Sequence, residues 1–515
     1  MTQRFKPTAL GAITSGVLLL AGCAQVDPAP DFRRTSELIA QQTDVAVDLD
    51  PALEDLVAGQ IETMLGDGLS VREAEQIALL NNRGFAALFQ ELGLSRADIV
   101  QAGLLTNPSI SLMFMLPEAG GRSNIQLNIG QELVDLWQIP IRRKIAETAL
   151  DQTMLRIAQR AVELTAEARA RYYEAVAARL LETTAIENVR LVEQSVKSAI
   201  GQLEAGEATL IDVNLQRAAL IDANLSVLNI QRDRRIAEAE LARVLGLNRS
   251  VTALTLTDPL PTPVPPPDEE ILLRTALESR LDARLAQQDV LRARSELELE
   301  YLRIFPSVVA GLALERMERQ ALPGRNLAAD TLRQSIASGA LTAPDIESRA
   351  QRAAARRDMI DVILGPSIQI TLPVWDQNQA NIAKARYRIE QRRKEYENLL
   401  DSIALQLQRA SATARTAATL ARVYQDEALP QASETVEGAR RVYESGEAAV
   451  PVLIEAQRSL LARRSAYVEV LRSYAVALSE LQAAVGGRLP EAATTRPAVP
   501  DSQPVARAQR VEVRE

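Results

Sequence analysis

The chain contains no histidine and a single cysteine in 515 residues. The first absence removes the commonest general acid–base group and metal ligand. The second excludes an intrachain disulfide and any cluster of thiolates. Aromatic residues are only 3% of the chain, too few for the core of a compact globular domain. Long stretches are filled instead by Ala, Leu, Arg, Glu and Gln, the composition of extended helices with small-residue seams. There is no basic excess either: the net charge is -9 with both signs interspersed, which argues against a nucleic-acid footprint. No run of about 18 apolar residues occurs, so any crossing of a membrane by the mature chain must use β-strands.

What is present begins with an address. Arg4 and Lys6 form a cationic start, Ala9 to Leu20 an apolar run, and Leu20 to Cys23 read LAGC. The run is too short and wrongly flanked for a membrane span, and residues 1–22 read as a secretory signal. The LAGC tetrad resembles a bacterial lipoprotein box, in which the signal is cut before the cysteine and Cys23 is lipidated. The alternative is an ordinary signal with an incidental cysteine. Acyl chains of the palmitate kind on Cys23 would tether residues 23–68 to a bilayer at about 0.8 kcal/mol per buried methylene. Ala24 stands where an inner-membrane retention signal would place Asp, so the resemblance implies the outer membrane.

Internal similarity is the most informative feature. Ala78-Leu79 recurs as Ala276-Leu277, and Pro108-Ser109 as Pro306-Ser307, both at an offset of 198. Trp137 matches Trp375 at 238, and Glu204 to Ala208 matches Glu444 to Ala448 at 240. One insertion of about 40 residues in the second copy accounts for the jump, and residues 315–361 are the candidate. The spacing predicts a first repeat over 69–258, a stiff Pro-rich linker over 259–267 and a second repeat over 268–487. The tail, 488–515, is polar and Pro-containing and reads as disordered.

Each copy has the order helix, two strands, very long helix, Gly-containing turn, second long helix. Strands are expected near 109–116, 124–134, 307–314 and 366–374, each alternating apolar with polar. Ile110, Leu112, Phe114 and Leu116 share one face, and Ile125, Leu127, Ile129 and Leu133 another. Such period-two segments suit a transmembrane β-barrel and equally a sheet on a soluble core. Four strands cannot close a barrel, which takes about eight or more, and open edges are not tolerated in lipid. A membrane reading therefore requires several copies to pool their strands. Trp137 and Trp375 at equivalent strand ends suit a membrane interface, or else simple core packing. Residues 141–201 and 381–429 contain no Pro and no Gly before their ends. In the second stretch Leu400, Ile403, Leu407, Ala410, Ala414, Ala417, Ala421, Tyr424 and Ala428 follow the 3,4 spacing of a coiled-coil seam. Turns near Gly206 and Gly446 send the chain back.

These residues resemble the TolC-like outer-membrane efflux family, particularly its lipoprotein branch. The matches are LSVREAEQIALLNNR (Leu69 to Arg83), LLTNPS (Leu104 to Ser109), GQELVDLW (Gly130 to Trp137), GPSIQITLPVWDQNQANIAKA (Gly365 to Ala385) and YESGEAAVPVLIEAQRSLL (Tyr443 to Leu461). Each is weak alone; in this order over residues 69–487 they are specific. The resemblance implies a mainly α fold with membrane β: a homotrimer with a 12-stranded β-barrel in the outer membrane, continued by a periplasmic α-helical barrel. It implies a passive exit duct fed by an inner-membrane pump through a periplasmic adaptor. The insertion is then expected on an external loop between the third and fourth strands, in preference to an extension of a helix.

A duct needs a closed end. By resemblance, Asp212, Tyr443 and Glu455 are tip positions, but Val452 and Ala448 replace a family Asp and Arg, so the carried-over gate is incomplete. Glu207 and Glu447 beside the turns are further candidates, since carboxylates around a narrow axis bind cations and repel anions. Each could instead be a solvated turn residue. Met113 and Met115 lie on a strand's polar face, where lumen lining is preferred over a soft-metal relay. Asp426 and Glu427 could be drawn as an acid–base pair, but an exposed helix face explains them. No catalytic residue, metal ligand or cofactor beyond a covalent lipid is assigned, and nucleic acid is not an expected partner. Against the duct stand a coiled-coil lipoprotein that braces the periplasm, which needs no strands, and a secreted hydrolase, which would leave the duplication unexplained. The transported substrate and the pump stay open.

Overall fold

The structure is a computed structural model that describes residues 25–47, 54–116, 123–206, 208–247, 254–318, 332, 335–339, 348–350, 360–445, 447 and 450–490. The signal, Cys23, most of the insertion, Glu207, Gly446 and the tail from 491 lie outside them. The elements are α1 (Ala29–Thr43), α2 (Glu54–Gly66), α3 (Val71–Asn81), α4 (Arg83–Phe89), α5 (Glu91–Ala102), β1 (Ser109–Met115), β2 (Asn124–Glu132), α6 (Asp135–Glu204) and α7 (Leu210–Val244). The second copy continues with α8 (Glu269–Ser279), α9 (Leu281–Leu302), β3 (Ser307–Glu318), β4 (Ile360–Thr371), α10 (Gln379–Val423), a π-turn (Tyr424–Ala428), α11 (Leu429–Glu444) and α12 (Val450–Val485). They fall into two compact units, one holding residues 93–152 and 288–394, the other residues 28–92, 153–287 and 395 onward.

The first unit contains an antiparallel sheet in the order β1-β2-β3-β4. Its register aligns the apolar positions into rows: Ile110, Ile129, Leu312 and Pro366 lie across from one another, then Leu112, Leu127, Leu314 and Leu364. The opposite face carries Ser111, Asn128, Ala313 and Gly365, then Met113, Gln126, Glu315 and Ile363. There Gln126 Nε2 donates to Glu315 Oε1 at 2.9 Å. Among the described residues nothing covers the apolar face: Ile110, Phe114, Leu364 and Ile368 are 69, 61, 66 and 70% exposed. An apolar face of this extent needs a covering medium or partner.

The strands differ from the expected bounds mainly at one rim. Glu315 to Glu318, assigned to the insertion by sequence, continue β3 and pair with Ile363 to Ile360 of β4. The polar run Glu-Arg-Met-Glu breaks the alternation that delimits a strand in sequence. A paired backbone needs only a partner in register, which β4 supplies. At the other rim β2 stops at Glu132 because Asp135 already opens α6.

Gly311 shows how tightly β2 and β3 approach. A Cβ there would lie 2.1 Å from the Ile129 carbonyl oxygen.

In the second unit the helices pack through small residues. Ala158, Ala161, Ala168 and Ala175 of α6 are fully buried, as are Ala414 and Ala421 of α10. Alanine buries little area but lets helix axes approach closely, while larger neighbours supply the transfer energy. Leu272 of α8, Ile403 and Leu407 of α10, and Leu481 and Val485 of α12 form one cluster, each fully buried side chain contributing about 1.5–3 kcal/mol. The expected seam of α10 is buried or half-buried from Leu400 to Ala421, and Tyr424 and Ala428 continue it as half-buried positions while Gln425 to Glu427 between them are exposed. None of Tyr424 to Ala428 is fully buried, and the backbone leaves α-geometry there. Pro430 lacks the N–H an α-turn requires, and the chain takes a π-turn in which the Leu429 N–H reaches the Tyr424 carbonyl.

The two copies close alike. Asn81 and Asn82 at the end of α3 donate to the carbonyls of Leu245 and Val244 at the end of α7, each at 3.0 Å. Ser279 and Arg280 at the end of α8 donate to those of Val485 and Ala484 at the end of α12. These partners are related by the sequence offsets of 198 and 240.

Gly311→Ala is expected to destabilise the sheet by about 1–3 kcal/mol, measured as a lower denaturation midpoint of the strand signal. Gly365→Ala, whose Cβ would meet nothing within 4 Å, is expected to leave the midpoint unchanged. Equal midpoints would show that the β2–β3 approach yields.

Candidate gate at the helical turns

The turn between α6 and α7 is built locally. Gly206 takes φ +80°, a left-handed conformation that suits glycine, and Thr209 caps α7. Its hydroxyl accepts from the Asp212 N–H at 3.3 Å, and the Asp212 carboxylate accepts from the Thr209 N–H at 2.9 Å and its hydroxyl at 2.6 Å. This reciprocal capping box satisfies donors that the helix start leaves unpaired. The bonds from Thr209 hold the Asp212 carboxyl below the usual range. Within one chain, then, Asp212 is occupied as a cap.

Tyr443 belongs to the opposite turn. It is buried with Val450 and Leu453, against Ala439 and Ile454, and its hydroxyl donates to the Gln202 side chain of α6. Burial, and secondarily the charge of Asp212, push the phenol up, so it stays neutral and acts as a donor. The structure thus brings Asp212 and Tyr443, the tip residues of the two copies, into one neighbourhood, and Tyr443 ties the second hairpin to the first. Glu455 and Glu447 are exposed and bond to neither.

Three further ties join the copies near the turns. Gln457 Nε2 donates to Ser195 Oγ at 3.0 Å, Arg458 meets Asp222 at 3.3 Å, and Arg464 meets Glu187 at 3.9 Å. Sequence reasoning missed Gln202 and Ser195, because neutral polar residues on a long helix carry no motif, and gave no role to Gln457 within the Tyr443 to Leu461 motif. The Arg458 and Asp222 charges were visible, but their pairing depends on which helices adjoin. Exposed pairs of this kind contribute little each, about 0–1 kcal/mol, so this end is held by weak, breakable contacts.

Farther along the second unit, the motif from Leu69 to Arg83 proves to be a clasp. Ser70 and Glu73 form a capping box on α3. Asp258, at the start of the linker, accepts from the Val71 N–H at 2.8 Å. The Tyr172 hydroxyl donates to the Leu69 carbonyl at 2.8 Å and accepts from the N–H groups of Thr257 and Asp258. Glu75 is buried and paired with Arg169 at 2.6 Å; burial pushes its carboxyl up despite the guanidinium. This region is as tightly bonded as the turns are loosely bonded.

In the first unit the two motifs flanking the first strand pair meet. Asp135 accepts from the Thr106 N–H at 2.6 Å and pairs with Arg142. Burial opposes its charge, but these bonds prevail and hold its carboxyl low. The tryptophans do not share an environment, contrary to their equivalent positions in sequence. Trp137 packs edge-on against Phe305 at 6.5 Å, whereas Trp375 is 89% exposed. Phe305, itself 58% exposed, supplies a local ring partner at the first site.

Comparison with known proteins places this geometry. The outer membrane efflux protein family matches residues 75–247 and 272–487, the larger part of the chain. Among curated proteins, Protein CyaE of Bordetella pertussis is 26% identical over 254 residues, 47% of this chain, so the chain spans about half (53%) of that relative's length. Among solved structures, that of CusC, studied for transmembrane channel formation, aligns with a TM-score of 0.61 at 18% identity, covering 81% of this chain and 92% of that one. The outer membrane protein VceC of Vibrio cholerae aligns at 0.60 and 14%, covering 82% and 97%. The MtrE outer membrane channel of Neisseria gonorrhoeae, solved in its open state, aligns at 0.58 and 16%, covering 82% and 91%. The fold is therefore that of TolC-like channels, mainly α with barrel-forming strands, and the chain belongs to the outer membrane efflux protein family.

Proposed function

We propose that this chain is the outer-membrane channel subunit of a tripartite efflux system, a passive duct that carries small molecules outward. The observation that carries this reading is the four-stranded sheet with one exposed apolar face and one polar face. Three copies placing their strands edge to edge give a 12-stranded barrel with lipid outside and a wet lumen inside. The long hairpins supply the periplasmic passage, and their tips the entrance, where an adaptor and an inner-membrane pump deliver substrate. A coiled-coil brace has no use for such a sheet. Family membership supports the same assignment.

Cys23 carries the lipid in this account, anchoring the mature N-terminus in the outer membrane. Asp212 and Tyr443 hold the tip closed from within each subunit, and Glu455 and Glu447, exposed near it, repeat around the axis and favour cations.

Single-channel recording in planar bilayers tests the duct. The wild type is expected to show small conductance, rising severalfold in Asp212→Ala/Tyr443→Phe, which removes both the cap and the Gln202 tie. No conductance in either form would contradict the channel and favour the envelope brace.

The Asp212 cap has a pH signature. Its pKa is lowered on folding, so its stabilisation is fully present above the ordinary carboxylate range and lost as pH falls through the lower folded value. Protection against hydrogen exchange of the Thr209 amide, which donates to the Asp212 carboxylate, is therefore expected to fall on acidification in the wild type. In Asp212→Ala it is expected to be low throughout. Intact mass of the membrane-extracted protein tests the anchor: acyl mass on the wild type, none on Cys23→Ser.

A further inference from the structure

The long helices of the two copies differ where α10 meets α11. Tyr424 to Ala428 form a π-turn there, whereas the stretch 240 residues earlier, Thr184 to Asn188, lies within the unbroken α6. A π-turn closes its hydrogen bond one residue farther along than an α-turn, and such turns inside long helices recur at functional sites. Its cause here is local. Pro430, with no N–H to give, falls in the first turn of α11, where none is called for. The first copy has Arg190 at the corresponding position and keeps its helix.

The packing changes at the same place. On the α10 side, Ala414, Ala417, Ala418 and Ala421 are buried, with Tyr474 and Leu478 of α12 packed against Ala417 and Ala418. The Tyr474 hydroxyl fixes this level: it donates to the Val264 carbonyl and accepts from the Val264 N–H, each at 3.0 Å. On the α11 side, among the described residues from 424 to 442, Ala432 alone is buried. A cavity of about 100 Å³ lies between α6, α11 and α12, lined largely by Leu191, Val436, Leu453, Leu460 and Leu461. A void in an apolar seam forfeits the contacts its lining would otherwise make. Both ends of α11 are tied. At the far end the Tyr443 hydroxyl meets Gln202, and at the near end the Tyr467 hydroxyl of α12 donates to Gln425 Oε1 at 3.4 Å. Burial, and secondarily the charge of Asp426, push the Tyr467 phenol up, so it stays a donor.

We propose that Tyr424 to Ala428 is the hinge of the second hairpin: α11 bends there as an arm, away from α6, while α10 stays on its alanine seam. Two side chains govern it. Tyr443 releases the far end when its bond to Gln202 breaks, and Tyr467, a positioning residue, sets the near end through Gln425. A few backbone positions at the end of an element absorb the change of angle, as in hinge motions generally, so the seam need not come apart. The unbroken α6 supplies the fixed half. The hinge stands on the packing of α10 to α12; its use in opening the tip rests on the channel reading.

Hydrogen exchange of the full chain in detergent, read by mass spectrometry, tests the hinge. Amides from 424 to 442 are expected to exchange about tenfold or more faster than those from 403 to 421, with a step at the π-turn. Amides from 184 to 202, the corresponding stretch of the first copy, are expected to show no such step. Deleting Glu427 together with Pro430→Ala removes the extra residue and restores the missing donor. That variant is expected to bring 424–442 down to the rate of the seam and, added to Asp212→Ala/Tyr443→Phe, to cancel the rise in conductance expected there. Tyr467→Phe is expected to speed exchange from 424 to 428 severalfold and to leave 403–421 unchanged. The wild-type profile carries the test where the deletion fails to fold. A rate that rises gradually towards the turn in both copies alike is fraying; that result, or a folded deletion variant as fast as the wild type, overturns the hinge and leaves the channel standing. The step in exchange with no conductance in any variant keeps the hinge and overturns its use in a channel.

Discussion

Backbone hydrogen bonds that cannot be left open in lipid set the terms for this molecule. A sheet of four strands has two edges, and its apolar face, from Ile110 on β1 to Ile370 on β4, is uncovered among the described residues. The opposite face, with Ser111, Asn128 and Gln126, suits water. A sheet with one lipid-like face, one watery face and two unpaired edges is stable in a bilayer only when other copies close it. In the proposed reading, oligomerisation and a wet lumen follow together from that constraint.

The helices meet a related problem differently. Long helices with few large side chains cannot rely on a wide core, so they approach through alanine and are fixed at a few bonded stations. The clasp around Tyr172 and the paired ends of α7 and α12 are dense with hydrogen bonds to main-chain groups. Among the described residues the turns are held by a capping box, the Tyr443–Gln202 and Gln457–Ser195 bonds and exposed ion pairs. Stability is concentrated away from the turns, and local opening is drawn from the least bonded end of a structure. That distribution suits an entrance that must open without unfolding the rest.

Much of this was legible in the sequence because the same physics is written twice. The offsets of 198 and 240 located partners that the structure then showed making equivalent contacts, Asn82 with Val244 and Arg280 with Ala484. Alternation identified all four strands, since a half-buried strand must alternate. It failed at Glu315 to Glu318, where pairing in register outweighs side-chain pattern. The 3,4 spacing identified the α10 seam through Tyr424 and Ala428 but not the π-turn there, because a count by residue type does not register the N–H that Pro430 lacks. At the tip, Asp212 and Tyr443 were found through resemblance. Their partners were not: Gln202 and Ser195 gain meaning only from which helix lies opposite. The tryptophans occupy equivalent positions with different neighbours, since equal positions in a repeat do not ensure equal surroundings.

The central claim is that the sheet is completed by other copies of the same chain, and the mass of the detergent-solubilised particle tests it most directly. The account predicts a particle of three chains that persists on dilution. A particle of one chain, with the sheet intact by spectroscopy, would contradict it, because four strands would then be standing in the membrane with open edges.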